Sequence, residues 1–164
     1  GMNKVMVCDY SDFRLKLAKE LGFAVCNPSI EDYTDKAKDY FGIAPSLSGE
    51  TADIDCWLDA AGAESILDDF IKSGKFESRF VSVAVNNTLR SVDLLHMTYA
   101  QQSIIGSGGY MPEDVIDVQK MMSCGKWDLE RIITHEFPLE QLEIAIRTAG
   151  DVNQSGNVVV KMKK

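Results

Sequence analysis

Several residue types that often carry chemistry are scarce in this 164-residue chain. It has two histidines, His96 and His135, and four cysteines, Cys8, Cys26, Cys56 and Cys124, with no C-x-x-C pair among them. Metal sites need thiolate or imidazole ligands at close spacing, so zinc binding by this chain alone is not expected. The cysteines stand far apart and three lie in apolar, strand-like runs, the pattern of reduced, buried thiols. Positive charge is also in deficit. The 17 Lys and Arg face 25 Asp and Glu, a formal net charge of −8, which works against nucleic-acid partners because these concentrate basic residues. No apolar run approaches the ~20 residues of a membrane span, and the N-terminus lacks a charged-then-apolar leader. The expectation is a cytoplasmic protein with neither membrane nor nucleic acid as partner. Gly1 ahead of Met2 reads as a remnant of tag removal.

What the chain does contain is 45% hydrophobic residues, enough for one real core, and a single domain is expected. Residues 5–9, Val-Met-Val-Cys-Asp, look like a buried parallel strand whose C-terminal tip carries one carboxylate. Ser11 or Asp12 can cap a helix reaching Leu21, with Phe13, Leu17 and Leu21 on one face and Gly22 as its left-handed stop. A short strand over 23–26 follows, and then a helix opened by a capping-box-like Ser29 and Asp32 and ended by Gly42. Residues 44–51 read as a loop from their turn-forming composition.

Further strands are expected over 54–60, 80–85, 103–106, 132–137 and 157–162, with helices over 64–72, 92–99, 112–123 and 138–148. Strands that are apolar throughout and alternate with helices indicate a parallel sheet covered on both faces.

The order of these elements and several local signatures resemble the medium-chain dehydrogenase/reductase family, in particular its zinc-dependent alcohol and polyol dehydrogenases such as butanediol and sorbitol dehydrogenases. The signatures are Asp9, Arg14 and the Ala-Lys-Glu-Leu-Gly helix end at 18–22; Leu-Asp-Ala-Ala-Gly-Ala at 58–63; the strand at 81–85; Ile-Gly-Ser at 105–107; and Ile-Thr-His-Glu-Phe-Pro-Leu-Glu at 133–140. The resemblance covers nearly the whole chain. It implies an α/β fold: an incomplete Rossmann-type doubly wound parallel sheet lacking the first strand and its glycine-rich turn, followed by the family's C-terminal helix and strand. The family's zinc-bearing catalytic domain has no counterpart here. The glycine turn would set the cofactor's pyrophosphate on a helix N-terminus. Gly106-Ser107-Gly108-Gly109 does not replace it, since a third glycine would have to stand at Met111.

By the resemblance, Asp9 would accept from the adenosine ribose hydroxyls of NAD, and Arg14 would lie near that ribose. Ala61, Val83, Ala84, Val85 and Ser107 would line the nicotinamide side of the cleft. Each has a plainer alternative: Asp9 as the start of a turn, Arg14 as a solvated helix-face charge, the others as ordinary strand-end packing. His96 and His135 read as structural, and no catalytic residue is assigned. Asn157 departs from the Lys or Arg often found before the last strand.

The implied function is the C-terminal NAD-binding portion of a zinc-dependent dehydrogenase, inactive on its own. The alternatives are a non-enzymatic nucleotide-binding or oligomeric assembly module, and a methyltransferase-like Rossmann fold. With the central strand absent, two inner sheet edges need covering. Direct pairing of 5–9 with 54–60 is favoured over insertion of 158–163 or strand exchange with a second copy. A homo-oligomer, by strand exchange or by pairing of the edge strand near 103–105, is expected.

Overall fold

The computed structural model describes residues 2–126 and 128–162, so Gly1 and Lys163, two residues named above, lie outside it. In chain order the elements are β1 (Met6–Cys8), α1 (Asp12–Glu20), β2 (Ala24–Cys26), α2 (Tyr33–Phe41), β3 (Ile43–Ser46), β4 (Gly49–Ala52), β5 (Cys56–Asp59) and α3 (Glu64–Ser73). They continue with β6 (Arg79–Ser82), α4 (Leu94–Ala100), β7 (Ser103–Gly106), α5 (Pro112–Ser123), β8 (Ile133–Pro138), α6 (Leu142–Ala149) and β9 (Asn157–Lys161). Where one domain is expected, the chain forms two compact units. One comprises the residues up to Tyr33 and those from Tyr110 on; the other runs from Thr34 to Gly109. Each of the four sheets lies wholly within one unit.

In the discontinuous unit, β1 and β2 pair in parallel through Met6–Ala24, Val7–Val25 and Cys8–Cys26. The helix between them starts and stops on local chemistry. Ser11 Oγ accepts from Arg14 N at 3.3 Å, and Gly22, at φ +92°, lets Gly22 N donate to Lys19 O and Phe23 N to Ala18 O. These two bonds satisfy carbonyls that the helix end would otherwise leave without partners. The C-terminal strands β8 and β9 are also parallel, with a bulge between Ile133 and His135, and α6 packs on both. Ser11 Oγ donates to Val152 O at 2.5 Å, and Arg14 Nε to Ser155 O at 3.1 Å. These bonds tie the start of α1 to the turn before β9.

In the continuous unit, β5, β6 and β7 form a three-stranded parallel sheet. Its core is Phe70, Ile71 and Phe80, with Trp57, Ile66, Leu67 and Val92 packed around it. The Phe70 and Phe80 rings lie 5.3 Å apart; a phenylalanine buried this fully contributes about 1.5–3 kcal/mol. Among the described residues no helix is long and apolar enough to cross a membrane.

Several expectations need correction. The 44–51 segment is not a loop: β3 and β4 form an antiparallel hairpin closed between Ser46 and Gly49, with Gly49 at φ +112°. Turn-forming residues spread over eight positions hid a tight turn flanked by two short strands. The second helix begins at Tyr33, not Ser29, because Ser29 donates both N (3.1 Å) and Oγ (2.6 Å) to Asn27 Oδ1 and so belongs to a turn. The strand expected over 80–85 stops at Ser82, since Val83 N and Ala84 N both turn to Asp59 O. Finally, β1 has β2 as its ladder partner and β5 has β6, and direct pairing of β1 with β5 is not among the ladders of the described residues. A three-residue strand presents few amides to a second neighbour. The C-terminal strand pairs with β8 instead of inserting elsewhere.

Candidate functional site

The parallel strands β5, β6 and β7 end level with one another: Asp59 registers with Ser82, and Ser82 with Gly106. Past these tips lie Ala61, Val83, Ala84, Val85 and Ser107, so the structure brings these five together at one end of one sheet. In an open parallel sheet, ligands bind outside the carboxyl ends of the strands. Ala61, Val83, Val85 and Ser107 are exposed, and Ala84 is half-buried.

Asp59, which sequence reading did not single out, organises this end. Its side chain is 7% exposed, and Oδ1 accepts from Ala61 N at 3.0 Å and Gly62 N at 2.7 Å. Its main-chain oxygen accepts from Val83 N at 2.9 Å and Ala84 N at 3.0 Å. Asn86 Nδ2 closes the turn on Gly62 O at 2.8 Å. Gly62 takes φ +73°, and a Cβ there would stand 3.2 Å from Ala84 Cβ. The signal available in the sequence was an Asp two and three residues before Ala-Gly, the pattern of a carboxylate folding back on its own turn. The result is a shelf of small side chains whose backbone is fixed, able to meet a flat ring without steric conflict.

Asp9 and Arg14 belong to the other unit. Asp9 follows β1, is half-buried, and its Oδ1 accepts from Ser11 N at 2.8 Å. Oδ2 makes no hydrogen bond among the described residues, so one acceptor is left for a ligand hydroxyl. Arg14 is more committed. Its Nε donates to Ser155 O, and it borders a cleft of about 370 Å³ with Leu17, Ile132, Gly156 and Asn157. The solvated-charge alternative for Arg14 therefore does not describe it.

His96 lies in α4, where its backbone N donates to the capping Asp93 Oδ1 at 3.0 Å. His135 Nδ1 lies 3.0 Å from Thr134 Oγ1, and its ring stacks on Phe137 at 6.2 Å. Asn157 heads β9, its carbonyl accepting from Thr134 Oγ1 at 3.2 Å.

Among the described residues no three His, Cys, Asp or Glu side chains are placed to hold a metal ion. In one unit Asp9 Oδ2 offers an acceptor suited to a ribose hydroxyl, and in the other the backbone around Gly62 offers a surface suited to a flat ring.

Known proteins share the sequence pattern and the fold of this chain. Residues 1–124 match the family model described as zinc-binding dehydrogenase. Sorbitol dehydrogenase 1 of Saccharomyces cerevisiae is 27% identical over 141 residues, which are 85% of this chain and 39% of that protein. L-threonine 3-dehydrogenase of Bacillus subtilis is 31% identical over 146 residues, 87% of this chain and 40% of that protein. The structure of an alcohol dehydrogenase from Escherichia coli CFT073, complexed with NADH, superposes with a TM-score of 0.77 at 25% identity, over 96% of this chain and 44% of that one. The chain thus spans about two fifths of the length of the relatives it matches. With the family model covering most of its residues, the chain belongs to the zinc-binding dehydrogenases, as a counterpart of the C-terminal part of their alcohol and polyol members.

Proposed function

We propose that this chain is the NAD-binding portion of a zinc-dependent alcohol or polyol dehydrogenase-like oxidoreductase, inactive on its own. The observation that carries the proposal is the level termination of three parallel strands around the Asp59 turn, which offers a backbone-lined shelf of the kind a nicotinamide ring needs. Ala61, Val83, Ala84, Val85 and Ser107 border the ring, and Asp9, with Arg14 beside it on α1, holds the adenosine ribose. A carboxylate at the ribose favours NAD over NADP, because a 2′-phosphate would meet like charge. Bound NAD supplies a hydride acceptor; the residues of this chain supply binding and orientation only. The proposed setting is cytoplasmic, where cysteines spaced as widely as these four stay reduced.

Titration calorimetry with NAD, NADP and S-adenosylmethionine tests this. Micromolar NAD binding with weaker NADP is the expected result, and preference for S-adenosylmethionine would transfer the reading to a methyltransferase-like site. Turnover of a secondary alcohol by the purified chain with added zinc would overturn the inactivity. A second reading, a non-enzymatic assembly module, is favoured by the structural bonds that Asp9 and Arg14 already make. NAD silence together with a stable oligomer would select it.

Under either reading the chain self-associates through β7, whose exposed Ile104 and Ile105 flank the sheet end. Ser103 N and Ser107 N point to β6, so the intervening Ile104 and Gly106 amides face outward and can pair with a second copy. Ile104→Pro removes an outward donor and spares the β6 ladder. It should convert a dimer to a monomer in light scattering, and an unchanged mass would exclude this edge.

A further inference from the structure

Cys8 and Cys26 stand opposite each other in the β1–β2 ladder. Registered residues on neighbouring strands are roughly 4.7–4.9 Å apart and send their side chains from the same face of the sheet. A disulfide accepts Cα separations of roughly 4.4–6.8 Å. The register is pinned at the pair, because Asp9 N donates to Cys26 O at 3.2 Å. Cys8 is exposed, whereas Cys26 is 0% exposed. Neither remaining cysteine is so placed: Cys56 registers with Arg79, and Cys124 ends α5.

We propose that Cys8 and Cys26 form a redox modification site that a peroxide converts to an intrachain disulfide. Exposure divides the roles. The Cys8 thiolate attacks one peroxide oxygen; the O–O bond breaks, the departing hydroxide leaves as water with the thiol's proton, and Cys8 becomes a sulfenic acid. The Cys26 thiolate then attacks the Cys8 sulfur. The S–O bond breaks as the S–S bond forms, and the second hydroxide leaves as water with the Cys26 proton. Two thiols lose two electrons and two protons, and one peroxide is reduced to two waters. The new bond closes one residue before Asp9 on one strand and one residue before Asn27 on the other. Asn27 Nδ2 donates to Asp12 Oδ1 at 2.8 Å, so the bridge staples the polar turn at the start of α1. None of this depends on NAD binding.

The whole chain, treated with hydrogen peroxide under native conditions, quenched, alkylated and digested with trypsin, tests the site by mass spectrometry. The expected product joins the peptides 5–14 and 20–36, two hydrogens lighter than their sum and separated by reductant, while Cys56 and Cys124 are recovered alkylated. Cys26→Ser should instead leave a Cys8 sulfenic acid that dimedone traps. Recovery of Cys8 and Cys26 both alkylated after peroxide would overturn the proposal. So would linkage of Cys8 to Cys56, to Cys124 or to a second copy.

Discussion

Two aspartates occupy the same topological place, each after a parallel strand and before a helix, yet the structure uses them differently. Asp59 is buried, and its four accepted bonds hold the turn through Gly62. Asp9 is half-buried, and its carboxylate accepts one backbone bond, from Ser11. The chain after β1 runs almost directly into α1, whereas the chain after β5 must first reverse through a left-handed glycine. An aspartate at a strand tip is thus committed to the fold in proportion to the turn it must close, and only what is left over serves a ligand.

The sharpest way to break this contrast is truncation. Asp59→Ala leaves the Ala61 and Gly62 N–H groups without their acceptor and should cost about 2 kcal/mol in chemical denaturation, while Asp59→Asn, which keeps the accepting oxygen, should recover most of it. A loss below about 1 kcal/mol would mean that the turn holds itself. Next in size are the glycines beside the two tips. Gly62→Ala combines φ +73° with a contact 3.2 Å from Ala84 Cβ, whereas at Gly22, with φ +92°, nothing lies within 4 Å of the added carbon. Losses of about 2 and about 1 kcal/mol are expected, and thermal melts giving the reverse order would contradict the packing around Gly62.

Asp9→Asn should leave stability within about 0.5 kcal/mol. Its effect is expected in calorimetry, as a drop in NAD affinity of about tenfold, about 1.4 kcal/mol. Equal loss of NAD affinity from Asp59→Asn would erase the distinction between the two tips.

The smallest effect concerns Lys75. Burial pushes its ammonium down, but hydrogen bonds and charge from Asp53 and Asp55 outweigh this and hold it above its ordinary 10.5. A folded-state value above the unfolded one contributes stability in full below pH 10.5 that is lost as pH rises through the folded value. Lys75→Met should therefore cost about 0.5 kcal/mol near neutrality, and pH-dependent unfolding should show that difference shrinking in strong alkali. A gap that widens there would reverse the sign.

Much of the fold was legible because single residues announced it: Ser11 and Gly22 bracketing α1, Pro112 opening α5, apolar runs marking β1, β6 and β7. What escaped was decided by pairing rather than by any one residue. The β3–β4 hairpin shows only when Ile43 meets Ala52. β6 ends where it does because Asp59 O captures the next two amides. The site residues Ala61, Val83, Ala84, Val85 and Ser107 came from resemblance, and the strand register explains their assembly. Asp59 was passed over because its signal, an Asp two and three residues before Ala-Gly, is short and gains weight only when the bonds its carboxylate accepts are counted.

The bonds from Ser11 to Val152 and from Arg14 to Ser155 each span 141 positions, and this bears on how the chain is made. The unit from Thr34 to Gly109 is continuous and can be completed as soon as its last strand is synthesised. The β1–α1–β2 segment is made before that unit but must wait for Val152 and Ser155, made after it, and contacts so remote are slow to close. Of the two units, the one whose strands are started earlier is thereby the later to be completed.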